Sequence, residues 1–426
     1  MPERLLALLQ SGEVGYLLLI VALLVVPRVL QRFRLPAPLT CLGLGIVAAV
    51  FLAEFSHDAT LALLGTLGIS ALFLFAGLEI DLQLMRRATG PLIGHLLFRS
   101  TILAAGVYLG VNYLHFSWQQ SALLALALLT PSTGFILDTL ESLGLSEDER
   151  FWVSSKAIGG ELLALALLFV VLQSTSLERM AWAGGALAVM IVALPLLFIA
   201  LGRLVVPYAP GSEFSLLVMV GLIAAYLTKQ LGVYYLVGAF LAGFIARLLR
   251  DRLPELASDD NLHAIKLFAS FFVPFYFFYR GMYVPPGALT LNALWLGLLI
   301  TAAVLPLRVL GVWAQRRFIK HESSRSSLNV ALALTPTLIF TLVLATILHE
   351  RFEISATLYG ALLVYAAATT ILPSLVLSRA IDFELHDFVG PPSPVPAAAG
   401  AAAPPAAAAE PVAAARSEEA GEPAQR

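Results

Sequence analysis

The chain reads as an all-α membrane protein of about thirteen transmembrane helices, built as an inverted repeat. Three observations predict this class: a composition too apolar for a wetted surface, apolar runs of spanning length at regular intervals, and a Thr-Pro pattern that recurs in both halves. Of 426 residues, 59% are hydrophobic and only 13% charged, with a mean hydropathy of +0.87, so most of the surface faces lipid or other helices. The formal net charge of -2 offers no electrostatic footprint for nucleic acid. The single cysteine, Cys41, leaves no internal disulfide and no cysteine metal site. The opening MPERLLALLQSGEVGY has neither a basic n-region nor a small-residue cleavage site, so the first apolar run is expected to be retained.

The apolar runs fall at 15–29, 36–52, 61–80, 91–113, 121–143, 151–172, 180–201, 214–227, 233–249, 262–282, 289–312, 328–348 and 354–377, each near the 17 to 25 residues, roughly, that cross a bilayer. The breaks between them alternate in charge. One set holds Arg28, Arg32, Arg34, Arg86, Arg87, Arg150, Arg203, Arg247, Arg250, Arg252, Arg316, Arg317, Lys320, Arg325 and Arg379; the other holds only Arg4, Arg179, Lys229 and Arg351. The positive set marks the cytoplasmic side, with the N-terminus outside and the C-terminus inside. The expected address is the bacterial inner membrane, multi-pass in the lipid bilayer. Residues 1–380 form the membrane domain, and 381–426, rich in Ala and Pro with few bulky apolar residues, form a disordered cytoplasmic tail.

The fifth run carries Leu129-Thr130-Pro131-Ser132-Thr133, and the twelfth carries Leu334-Thr335-Pro336-Thr337. Proline removes a backbone donor and disfavours helical geometry in the residue before it, so each run is expected to break mid-membrane. Unpaired backbone is tolerated there only where protein or a watery cavity satisfies it. A simple kink accounts for either Thr-Pro taken singly; two in matched context, seven spans apart and hence running oppositely, point to an inverted repeat with a midplane site.

Ionisable side chains inside spans are costly and mark function. Glu161 lies mid-span in SSKAIGGELLALALLF, on a face shared with Ser154, Ala157 and Ala164 that lets another helix approach closely. A carboxylate held there, out of bulk water, makes a proton and a metal cation rivals for the same oxygens. Asp138 reads either as a second cation ligand or as a solvated helix-end acid. Arg280 reads either as a counter-charge or as a snorkelling residue beside Tyr276, Tyr279 and Tyr283. Lys156, the other candidate counter-charge, is on a different face from Glu161 and is expected to snorkel. Thr130, Thr335, Ser132 and Ser155 supply candidate neutral oxygens, and Glu161 is the expected metal ligand. Glu79 and Asp81 beside Arg86 and Arg87 read as a structural cluster. No Ser-His-Asp pattern, spaced His cluster or phosphate-cradling glycine loop is present, so no enzyme and no cofactor is expected.

Four stretches carry a family resemblance: Phe75-Ala-Gly-Leu-Glu-Ile-Asp81 followed by Arg86-Arg87; Ser132-Thr133 through Asp138 to Glu141 and Gly144; Leu236-Val-Gly-Ala-Phe-Leu-Ala-Gly243; and Phe272-Val-Pro-Phe-Tyr-Phe277 with Gly281-Met282. Together they resemble the monovalent cation:proton antiporters, in the branch of Kef-type and sodium/proton exchangers. The resemblance implies a dimerising panel, a mobile core with two crossed discontinuous helices, and a homodimer. It also implies an essential aspartate where Glu161 stands, after an acid or amide where Gly160 stands. The expected function is exchange of Na+ or K+ for H+ by alternating access, electroneutral because one acid carries both. A K+ channel-like efflux protein and a transport-degenerate membrane sensor are the alternatives.

Overall fold

The computed structural model describes residues 12–51, 58–80, 89–232, 235–319 and 321–377; Asp81, Arg86, Arg87 and the tail expected from 381 lie outside the described residues. The helices are α1 (Gly12–Gln31), α2 (Ala37–Phe51), α3 (Ala59–Leu78), α4 (Thr89–Tyr113), α5 (Trp118–Leu129), α6 (Thr133–Thr139), α7 (Glu147–Gln173), α8 (Leu177–Leu204), α9 (Glu213–Gln230), α10 (Tyr235–Leu248), α11 (Asp259–Met282), α12 (Leu291–Ala314), α13 (Ser324–Ala333), α14 (Leu338–Phe352) and α15 (Ala356–Val376). No strand occurs among the described residues. Sequence sets several of the starts: Ser117 with Gln120 and Ser146 with Glu149 form reciprocal capping boxes that satisfy the first amides of α5 and α7.

Ten helical stretches are long and apolar enough to cross a bilayer, and the bent pair α13–α14 makes an eleventh. The two remaining expected runs are helical but shorter, over Ala37–Val50 and Tyr235–Leu248, roughly 21 Å each against a hydrocarbon layer of ~30 Å. Both are clamped to longer helices at backbone contact. A Cβ at Gly281 of α11 would fall 2.2 Å from the Leu42 carbonyl of α2, and one at Gly243 of α10 would fall 2.1 Å from the Leu74 carbonyl of α3. Such close approach is how helices associate where lipid removes the hydrophobic drive between them.

Packing sorts every helix but α8 into two groups, and α8 touches both, through α9 and α10 on one side and α7 on the other. α1, α2, α3, α9, α10 and α11 form a panel in which α3 lies along both α10 and α11. α4 to α7 and α12 to α15 form the second group, where α5 packs on α14 and α12 on α15. The third span thus meets the tenth and the fifth meets the twelfth, the pairing expected of halves related seven spans apart.

Proline alone does not decide where the chain breaks. Pro27, Pro195, Pro274, Pro306 and Pro373 all sit inside continuous helices. At Pro131 and Pro336 the chain leaves helical form instead: Thr130 and Ser132 are extended, and α13 and α14 meet at 43°. The difference is that the backbone groups freed at these two breaks have partners.

Candidate functional site

The two breaks face each other and satisfy one another's backbone. The Ser132 amide donates to the Pro336 carbonyl at 2.8 Å. The Ser132 hydroxyl oxygen accepts from the amides of Ile339 at 3.0 Å and Phe340 at 3.3 Å, so it caps the first turn of α14 from across the crossing. Thr341 returns the favour, donating its hydroxyl to the Ala127 carbonyl at 2.7 Å.

The carbonyl ends of the half-helices are taken by cations and a phenol. Arg99 on α4 donates Nη2 to the Leu129 carbonyl at 2.5 Å, and Tyr365 on α15 donates to the Leu128 carbonyl at 2.5 Å. At the other break Arg308 on α12 donates to the carbonyls of Leu334 and Thr335, both at 2.9 Å, and to the Tyr365 hydroxyl at 3.0 Å. A guanidinium suits the negative end of a helix dipole, and α4 and α12 are the fourth and eleventh spans, so the two arginines occupy corresponding places in the two halves. The carbonyls of Leu128, Leu129, Leu334 and Thr335 are therefore already bound.

Glu161 on α7 is 1% exposed, and its Oε2 has no protein partner. Thr133, at the start of α6, faces it with both hydroxyl and amide, and Arg99 is the nearby opposite charge. The Thr130 hydroxyl is likewise buried and unpartnered, and the Thr133 hydroxyl has no partner beyond the carboxyl it faces. Three oxygen-bearing side chains around one break thus keep lone pairs that no protein donor uses, a set whose chemistry fits a small monovalent cation. Gly160 stands beside this group, and a Cβ there would lie 2.6 Å from Nη1 of Arg99.

The other expected site residues are distributed around this centre. Ser155 is buried six residues before Glu161 on α7, about one and two-thirds turns away and on a different face. Thr335 uses its hydroxyl on the carbonyls of Leu332 at 2.8 Å and Thr369 at 3.1 Å. Lys156 does not snorkel: it is 2% exposed, with Nζ 3.1 Å from the Gln315 side-chain oxygen, which also meets His95 at 2.9 Å. A polar partner at the end of α12 makes that burial tolerable. Arg280 lies over the Tyr276 ring at 5.7 Å; the cation that acts on Glu161 is Arg99 instead. Asp138 is exposed on the wall of a cavity of about 220 Å³ that runs from Arg28, Gln31 and Lys266 inward to Gly134, Phe135 and Ile339. Its inner end abuts the crossing.

Arg99, Arg308 and Tyr365 were not singled out from the sequence, although Arg99 and Arg308 fall inside the runs 91–113 and 289–312. The signal of the two arginines is the same as that of Glu161, a charge within a span, whereas Tyr365 carries none.

Paired broken helices crossing beside a buried acid, within an inverted repeat, define a secondary transporter. The transmembrane sodium/hydrogen exchanger family matches residues 18–381, and the chain belongs to that family. It is 24% identical over 386 residues to the probable Na(+)/H(+) antiporter 3 of Methanocaldococcus jannaschii, covering 87% of this chain and 97% of the relative. In fold it is similar to the sodium proton antiporter MjNhaP1 of the same organism at pH 8, with a TM-score of 0.63 at 18% identity, over 85% of this chain and 95% of that one. A second structure of that antiporter, from electron microscopy, gives a TM-score of 0.61 at 18% identity, over 86% of this chain and 95% of that one.

Proposed function

We propose that this exchanger carries Na+ or K+ against H+ one for one, with Glu161 as the carboxylate that both ions occupy in turn. The observation that carries the reading is a buried carboxylate with one oxygen that no protein group uses, set beside the unpartnered Thr130 hydroxyl and the Thr133 hydroxyl that faces it. One acid carrying either a proton or a monovalent cation makes each half-cycle alike in charge, so the exchange is electroneutral. Ser132 and Thr335 hold the breaks in place around Glu161.

With the charge-derived orientation, the cavity lined by Asp138 and Lys266 opens to the cytoplasm. Movement of the second helix group against the panel then offers Glu161 to the opposite side. The protein works as a homodimer in the bacterial inner membrane, N-terminus outside, with an inward proton gradient driving cation efflux.

The test is fluorescence dequenching in everted vesicles across Li+, Na+ and K+. Wild type is expected to dissipate a proton gradient on addition of Na+ or K+ at a rate unaffected by membrane potential, and Glu161→Gln to abolish it. Exchange undiminished in Glu161→Gln removes the acid from its role, and cation conductance without proton movement would make the protein a channel.

A further inference from the structure

Resting on the exchange reading above, we infer that Arg99 is a positioning residue of the site, occupying the place a side chain at 160 would take, so that the centre combines one carboxylate with one fixed guanidinium and accepts one monovalent cation at a time. The juxtaposition is steric and specific. A Cβ on Gly160 would stand 2.6 Å from Nη1 and 3.0 Å from Cζ of Arg99, inside any real contact distance. At Gly159 the same α4 face offers only the methyl ends of Leu92 and Leu96, at 3.2 and 3.6 Å. Leucine tips can give way by a few tenths of an ångström.

Arg99 cannot give way so cheaply, because Nη2 is held by the Leu129 carbonyl at 2.5 Å. The guanidinium is therefore pinned at two points: the end of α5 on one side, the bare backbone of α7 on the other. A side chain at 160 and the present pose of Arg99 are mutually exclusive. Next to a desolvated carboxylate, a pinned positive charge disfavours entry of a second cation or a divalent one, because like charges repel strongly out of water. It also stands where a neutral second ligand on α7 would reach. Arg308 secures the other break in the same manner but meets no glycine of α7 and so has no such influence on ligand number.

Exchange is measured in everted vesicles for wild type, Glu161→Gln, Arg99→Lys, Arg99→Gln, Gly160→Asn and the double variant Arg99→Gln/Gly160→Asn, with the thermal midpoint of each purified protein taken alongside. Arg99→Gln drops the charge and clears the space beside Gly160, so it is expected to lower the KM for Na+ about threefold or more, with Arg99→Lys closer to wild type than Arg99→Gln. Gly160→Asn is expected to lose exchange at least about tenfold, and the double variant to regain most of it, a coupling of about 1.4 kcal/mol. An unchanged KM in Arg99→Gln, wild-type exchange in Gly160→Asn, or a double variant no better than Gly160→Asn overturns the inference. Absence of exchange in wild type, or its survival in Glu161→Gln, overturns the parent reading instead.

Discussion

Replacing Ser132 by alanine separates a ligand from a cap. The Ser132 oxygen accepts two amides of α14, at 3.0 and 3.3 Å, in a fully buried setting. Loss of an N-cap side chain costs about 1 kcal/mol, and an orphaned buried donor costs about 1–3 kcal/mol. Because the two amides share one acceptor and one of the bonds is long, the sum is about 2–4 kcal/mol, a fall of about 2–5 °C in thermal midpoint for a chain of this length. The assay is differential scanning fluorimetry of the detergent-purified protein, paired with the KM for Na+ in vesicles. Ser132→Ala is expected to lower the midpoint and the maximal rate, and Ser132→Thr to restore both. A midpoint within about 1 °C of wild type, together with a raised KM, would refute the capping argument and return Ser132 to the ligand set.

Two more perturbations test the frame around the site. Arg308→Met strands the carbonyls of Leu334 and Thr335 and a bond to Tyr365, with an expected loss of about 1–3 kcal/mol for each carbonyl left bare; amide hydrogen exchange over 332–337 should accelerate, and Arg308→Lys should lose less. Outside the membrane, burial opposes ionisation of Asp58, but the Tyr16 hydroxyl and the amides of Leu61 and Thr60 outweigh it and hold its carboxyl below the ordinary aspartate value. A carboxyl lowered by folding adds stability that is present above its unfolded value, about pH 3.9, and is lost as pH falls through the folded one. Wild type should therefore lose midpoint on acidification below about pH 4 more steeply than Asp58→Asn in the same titration.

The elements that composition and local pattern dictate were legible in the sequence. Apolar runs gave the span positions, because lipid imposes length and hydropathy directly. Thr130-Pro131 and Thr335-Pro336 foretold the breaks, and Glu161 stood out as an acid in a run that should hold none. What escaped is set by contacts distant in sequence. Ser132 and Ile339 are 207 positions apart, and Lys156 and Gln315 are 159 apart; no local pattern says that a serine will cap a helix in the other half or that a lysine will find a buried amide. The close seating of α2 and α10 likewise depends on glycines whose opposing carbonyls belong to other helices.

The reciprocal bonds at the crossing also restrict how the molecule can change state. Bending either interrupted helix by itself would tear the Ser132 to Pro336 link and empty the Ser132 oxygen of both its donors. The cheapest displacement carries the two together as one solid piece, with Arg99, Arg308 and Tyr365 travelling as its rivets. For the exchange cycle proposed above, gating would be sliding at the seam between the two helix groups, and substitutions along that seam, rather than at the crossing, should tune turnover.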